Sequence, residues 1–127
     1  MNEDNPTTDN NENIFELPSH IPVWQVQETH PHLVMSLYNT LKDVYDPEIR
    51  LNVIDLGLIR DIQIGENEAN ITMILTTPFC PYGPLLMETV REKVEGIINK
   101  PTKVILGTEF WTPSMMPEDL RPDWGIY

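Results

Sequence analysis

The chain's one cysteine, Cys80, lies in the run Thr76-Thr77-Pro78-Phe79-Cys80-Pro81-Tyr82-Gly83-Pro84. A thiolate is both a nucleophile and a soft-metal ligand, so sulfur or metal chemistry would centre on this run. If Cys80 is the N-cap of a following helix, Pro81 and Pro84 both fall in its first turn. The N–H groups there lack intrahelical acceptors, and the fixed φ of proline suits the first position. The positive end of the helix dipole would then favour a thiolate at Cys80. The plainer alternative is a small buried hydrophobe, the usual state of a free cysteine.

Other chemistries lack their partners in the sequence. A cysteine hydrolase needs a base beside the thiol, and the only histidines are His20, His30 and His32, all upstream of the first long apolar pattern or at its start. A structural zinc site needs four Cys or His ligands at close spacing, and no such set exists. Three acids, Asp46, Glu48 and Asp55, gather around Asp46-Pro47-Glu48-Ile49-Arg50 and Ile54-Asp55-Leu56-Gly57. Paired carboxylates can act as acid and base or hold a hard metal. The preferred reading is structural, with Asp46 and Asp55 binding nearby backbone N–H groups.

Charge and composition narrow the partners. The 127 residues suit one domain plus an arm. Twenty acidic against 8 basic residues give a net charge of -12, which opposes a nucleic-acid backbone or an anionic membrane and suits a basic protein partner. No Gly-x-x-Gly loop is present to clamp a nucleic-acid backbone. One cysteine excludes an intramolecular disulfide, and neither a signal peptide nor a long apolar span is evident, so a reducing, cytoplasmic location is expected.

The elements that must position Cys80 follow from periodicity. Residues 1–30 read as an acidic, flexible arm, within which Ile21-Pro22-Val23-Trp24 is expected to dock locally; residues 31–127 form the domain. Leu33, Leu37, Leu41 and Val44 mark one face of a helix over 32–45, ended by Asp46-Pro47. Leu58, Ile62 and Ile64 predict a strand, Gly65 to Glu68 a turn, and Ile71, Met73 and Leu75 a returning strand. Pro81 to Asn99 reads as a second helix burying Leu86, Val90, Val94 and Ile97, with Glu88, Arg91, Glu92 and Glu95 on a solvated face. A third strand is expected over 103–111 through Val104, Leu106 and Phe110. The tail, with Trp111, Met115, Met116 and Trp124, is expected to pack back on its own domain. The order helix, strand, strand, helix, strand predicts a two-layer α+β domain, both helices covering one face of a small mixed sheet, with a right-handed crossover through the second helix.

Four motifs occur in sequence: Asp46-Pro47-Glu48-Ile49, then Val53-Ile54-Asp55-Leu56-Gly57-Leu58-Ile59, then Thr76-Thr77-Pro78-Phe79-Cys80-Pro81, then Trp111-Thr112-Pro113. Together they resemble the small SufT/PaaD-type proteins of iron–sulfur cluster assembly, catalogued as domain of unknown function fifty-nine. The resemblance covers residues 32–124. It implies an α+β domain akin to other iron–sulfur assembly domains, working in the maturation of iron–sulfur proteins, with Cys80 as the functional thiol. Asp46, Pro47, Glu48, Asp55, Leu56, Gly57 and Trp111 would be structural or partner-facing, and Thr76, Thr77 and Pro81 would shape the cysteine loop. Phe79 departs from the pattern, since many relatives carry a small residue there, and it bears on access to Cys80.

Common iron–sulfur clusters take four protein ligands, mostly thiolates, and one chain offers one. A cluster at Cys80 would therefore be transient and shared with a second subunit, a client protein or a small thiol; a two-fold homodimer would supply two thiols. The expectation is a non-enzymatic maturation factor that works with the assembly machinery and with client apoproteins of the four-iron type. The alternative is an adaptor that binds no metal and recruits clients through its acidic surface and Trp/Met tail.

Overall fold

Pro31 opens the first long helix and Asn99 closes the second in a left-handed conformation (φ 64°), each at a terminus that suits its backbone preference. The computed structural model describes residues 17–77 and 80–121. In chain order these form α1 (Val26–Thr29), α2 (Pro31–Leu41), β1 (Ile59–Ile64), β2 (Ala69–Met73), α3 (Gly83–Ile98) and β3 (Thr102–Leu106), followed by 3-10 turns at Pro113–Met115 and Glu118–Leu120.

The central strand is β2. It pairs antiparallel with β1, through the turn closed by Gly65 N donating to the Glu68 carbonyl (2.8 Å), and parallel with β3 in the register Ala69 to Thr102 through Met73 to Leu106. The parallel pair requires a crossover, which α3 provides. Along α3, Leu86, Val90, Val94 and Ile98 are buried at four-residue intervals, Ile98 standing where Ile97 was expected and Ile97 only packing against the core. Glu88, Arg91 and Glu95 form an ion-pair ladder on its outer side. There the hydrogen bond from Arg91 holds the exposed Glu88 carboxyl below its usual range.

The expected helix over 32–45 is shorter. It ends at Leu41, because the following residues are claimed by other bonds: Val53 N donates to the Val44 carbonyl (2.9 Å), and Tyr45 bridges to Asn52. Its buried face centres on Val34, Leu37 and Leu41, with Leu33 only packed against the edge of the core. Of the inward residues expected around β1, Leu58 and Ile62 are buried, whereas Ile64 only packs against the core and Ile59 is buried in addition. An irregularity between Ile59 and Asp61 shifts the register, and such a bulge turns one extra side chain out of step.

The third strand also stops early, at Leu106 rather than Trp111. Gly107 N makes a last bond to the Met73 carbonyl (2.8 Å), after which the chain leaves the sheet. Phe110, assigned to that strand, is 81% exposed.

Residues 17–30, placed in the arm on composition, pack on the domain. Trp24 is fully buried and its Nε1 donates to the Ile59 carbonyl (3.1 Å), while Gln25 N donates to Asp61 Oδ1 (2.7 Å). The local docking expected of Ile21 to Trp24 is thus seen, and a buried indole outweighs the polar composition around it, since aromatic burial dominates core energetics. Residues 1–16 lie outside the described residues. At the other end Met116 is buried and Arg121 donates to the carbonyls of Met116 (3.1 Å) and Ser114 (3.2 Å), so the tail folds back as expected. Trp124 lies outside the described residues.

Candidate functional site

Cys80 sits between the end of β2 and the start of α3. Its N donates to the Thr77 carbonyl (3.3 Å), and its own carbonyl accepts from Gly83 N (3.1 Å). These successive turns delay the helix. Leu86 N to the Tyr82 carbonyl (2.9 Å) is the first α-helical bond, so Tyr82 is the N-cap and Pro84, not Pro81, lies in the first turn. The expectation that Cys80 itself caps the helix is therefore corrected: the thiol stands two residues outside it, with Pro81 exposed between. Cys80 is 8% exposed. Pro78 and Phe79 lie outside the described residues, as does the question of what Phe79 does to access.

The Asp46-Pro47-Glu48 motif forms the loop facing this thiol. Asp46 is buried, and its Oδ1 accepts from Glu48 N (2.9 Å) and more weakly from Ile49 N (3.4 Å). The loop is closed by Asp46 N donating to the Leu51 carbonyl (2.9 Å) and by Arg50, at φ 68°, donating from N to the Asp46 carbonyl (2.7 Å). Asp46 is thus the turn-forming acid that the structural reading describes. Its turn lifts Glu48 to the surface, where Oε1 stands 4.0 Å from Cys80 Sγ. Periodicity gave no hint of this pairing across 32 residues; the presence of both residues in the motif set was the available signal.

The second pair of motifs converges elsewhere. Asp55 departs from the backbone-binding role expected of it: its Oδ2 accepts from the Asn52 side-chain Nδ2 (2.9 Å), its own N donates to Asn52 Oδ1 (2.7 Å), and Lys42 lies 4.0 Å from it. Leu56 is buried, and its carbonyl accepts from Trp111 Nε1 (2.6 Å). Gly57 adopts φ +73°, and a Cβ there would lie 2.4 Å from the Met115 carbonyl oxygen. Only glycine meets both demands. Arg60, which motif reading missed, clamps this junction: Nη1 donates to the Gly57 carbonyl (3.0 Å), while Nε and Nη2 hold Glu109 in a two-pronged ion pair. Also missed was His20, whose Nε2 lies 3.0 Å from the Ile54 carbonyl. Thr76 and Trp111 share a groove of about 280 Å³ with Phe110, whereas Thr77 serves the cysteine turn through its carbonyl.

The site therefore presents one thiol and one carboxylate on facing loops. Among the described residues no group of three or more His, Cys, Asp or Glu side chains could hold a metal ion. A family model described as iron-sulfur cluster assembly protein matches residues 36–104. The chain belongs to this iron–sulfur cluster assembly family. That match contains the Asp46, Asp55 and Cys80 motifs, and the α+β sheet with its crossover helix is the family's fold. A relative in Porphyromonas gingivalis, named Fe-S protein maturation auxiliary factor, is 42% identical over 68% of this chain and 85% of its own length. Another in Bacillus subtilis, Fe-S protein maturation auxiliary factor YitW, is 31% identical over 72% of this chain and 92% of its own. The crystal structure of a domain of unknown function fifty-nine from Bacillus anthracis superposes with a TM-score of 0.61 at 26% identity, covering 73% of this chain and 92% of that one. Among the described residues of this family member, no helix is long and apolar enough to cross a membrane.

Proposed function

We propose that this protein is a non-enzymatic cytoplasmic factor that assists the maturation of iron–sulfur proteins, with Cys80 as a transient cluster ligand. The observation that carries the reading is the convergence of two family motif loops on the chain's one thiol, at the 4.0 Å contact of Cys80 with Glu48. Membership in the iron–sulfur assembly family and the maturation roles named for its relatives support it. The cluster is cargo: Cys80 supplies one ligand and a client, a second subunit or a small thiol supplies the others. Delivery is then ligand exchange without electron transfer. The iron bond to Cys80 Sγ breaks as a bond to a client thiolate forms, and the proton of the incoming thiol leaves to solvent. A site with a single protein ligand favours release over storage.

A second reading is favoured by the burial of Cys80: an adaptor that recruits client apoproteins to separate cluster-carrying machinery. Anaerobic cluster loading of an apo four-iron enzyme separates the two. Loss of activation in Cys80→Ala supports the ligand role, and full activation by that variant removes it and leaves the adaptor.

A further inference from the structure

Beside the Cys80 and Glu48 loops a groove of about 260 Å³ runs between the 43–47 segment and the first turns of α3. Its walls include Tyr45 and Pro47 on one side and Tyr82 and Leu85 on the other, over a floor of Val44 and Leu86. Three of these side chains are unusually open for their type: Tyr45 is 56% exposed, Tyr82 46% and Leu85 66%. Single exposed apolar residues are ordinary, but a contiguous apolar patch in a concave surface marks an interaction site. Two features set this one apart. It is built from the same two motif segments as the Cys80 and Glu48 pair, Tyr82 following the cysteine by two residues and Pro47 preceding Glu48. The one charged residue that lines it is also acidic, Asp43, and the flanking loop exposes Glu48 together with Arg50. Lys42, the neighbour that could neutralise Asp43, is held against the Tyr38 ring (5.6 Å) and Asp55.

We propose that this groove is the docking surface for the client apoprotein, which enters it with an apolar side chain flanked by basic residues. The proposal rests on the maturation reading and adds to it where the client binds and what chemistry the client presents. The acidic Asp43, on a chain of net charge -12, selects basic flanks and steers their approach. The apolar walls supply the buried anchor that gives an interface its strength. Docking there brings the client's cluster ligands beside Cys80.

The test uses the full chain and a purified four-iron enzyme in its apo form. Binding is read by calorimetry at two salt concentrations, and activation is read separately after anaerobic cluster loading. Leu85→Glu and Tyr45→Ser, at exposed positions and with folding checked by circular dichroism, are each expected to weaken binding by at least about tenfold. Asp43→Lys is expected to weaken it further at low salt than at high salt. Failure of the native chain to bind the apoenzyme, or unchanged affinity in both groove variants, overturns the docking assignment without touching the ligand role. Cys80→Ala, read for activation alone, decides that role separately. A dimer in sedimentation equilibrium that Leu85→Glu dissociates would overturn the client as occupant in favour of a second copy.

Discussion

Glu48 Oε1 stands 4.0 Å from the Sγ of Cys80, so the chain's one thiol faces a carboxylate rather than an imidazole or a second sulfur. A cluster bound through thiolates is anionic, and a carboxylate this close repels it. Glu48→Gln is therefore expected to hold a transferred cluster longer, slowing its release to an apoprotein by roughly threefold to tenfold, the scale of a partly exposed charge interaction. Anaerobic transfer followed by the visible absorbance of the cluster measures this. A rate equal to or faster than that of the native chain would mean that Glu48 does not act on the bound cluster.

Gly57 is fixed twice over, by its φ of +73° and by the Met115 carbonyl that a Cβ would meet at 2.4 Å. Gly57→Ala is expected to cost roughly 1–3 kcal/mol or more, from backbone strain and displaced packing. Urea denaturation reads the loss. Because the opposing atom is backbone, Met115→Ala in the same chain is expected not to restore stability, which distinguishes this cause from side-chain crowding.

Trp24 tests where the folded unit begins. Its indole is fully buried and bonded to the Ile59 carbonyl, so Trp24→Ala is expected to cost about 3–5 kcal/mol. Trp24→Phe, keeping most of the ring but losing the hydrogen bond, is expected to cost less. Equal stability of Trp24→Ala and the native chain would return residues 17–30 to a peripheral arm.

The order of the main elements along the chain and both long helices were legible because the helices have strong periodicity and a proline or asparagine near an end. What sequence missed follows from interactions that leave no local trace. The bulge at Ile59 to Asp61 changes which β1 side chains are buried, yet no residue type announces it. Trp24 sits in a polar stretch whose average composition hides one decisive side chain. The end of β3 is set by the exit of Gly107 from the sheet, while the apolar residues after it continue the appearance of a strand. In the site, Cys80 and Glu48 belonged to recognisable motifs, but their approach depends on an Asx turn at Asp46 and on two turns that push the helix start to Gly83. Arg60 and His20 bind backbone carbonyls, and the sequence does not display such acceptors.

Asp46 discriminates a turn-forming acid from a cargo ligand. Its buried Oδ1 accepts from Glu48 N at 2.9 Å and Ile49 N at 3.4 Å, and an asparagine side chain retains a carbonyl oxygen able to do the same. Asp46→Asn is expected to keep both stability and cluster delivery close to native. Asp46→Ala leaves the Glu48 N–H without its acceptor and frees the loop that presents Glu48 to Cys80, at a cost of roughly 1–2 kcal/mol. Denaturation and transfer assays on the two variants separate the roles: a carboxylate needed to hold iron would fail in both, whereas an acceptor needed to shape the loop fails only in alanine.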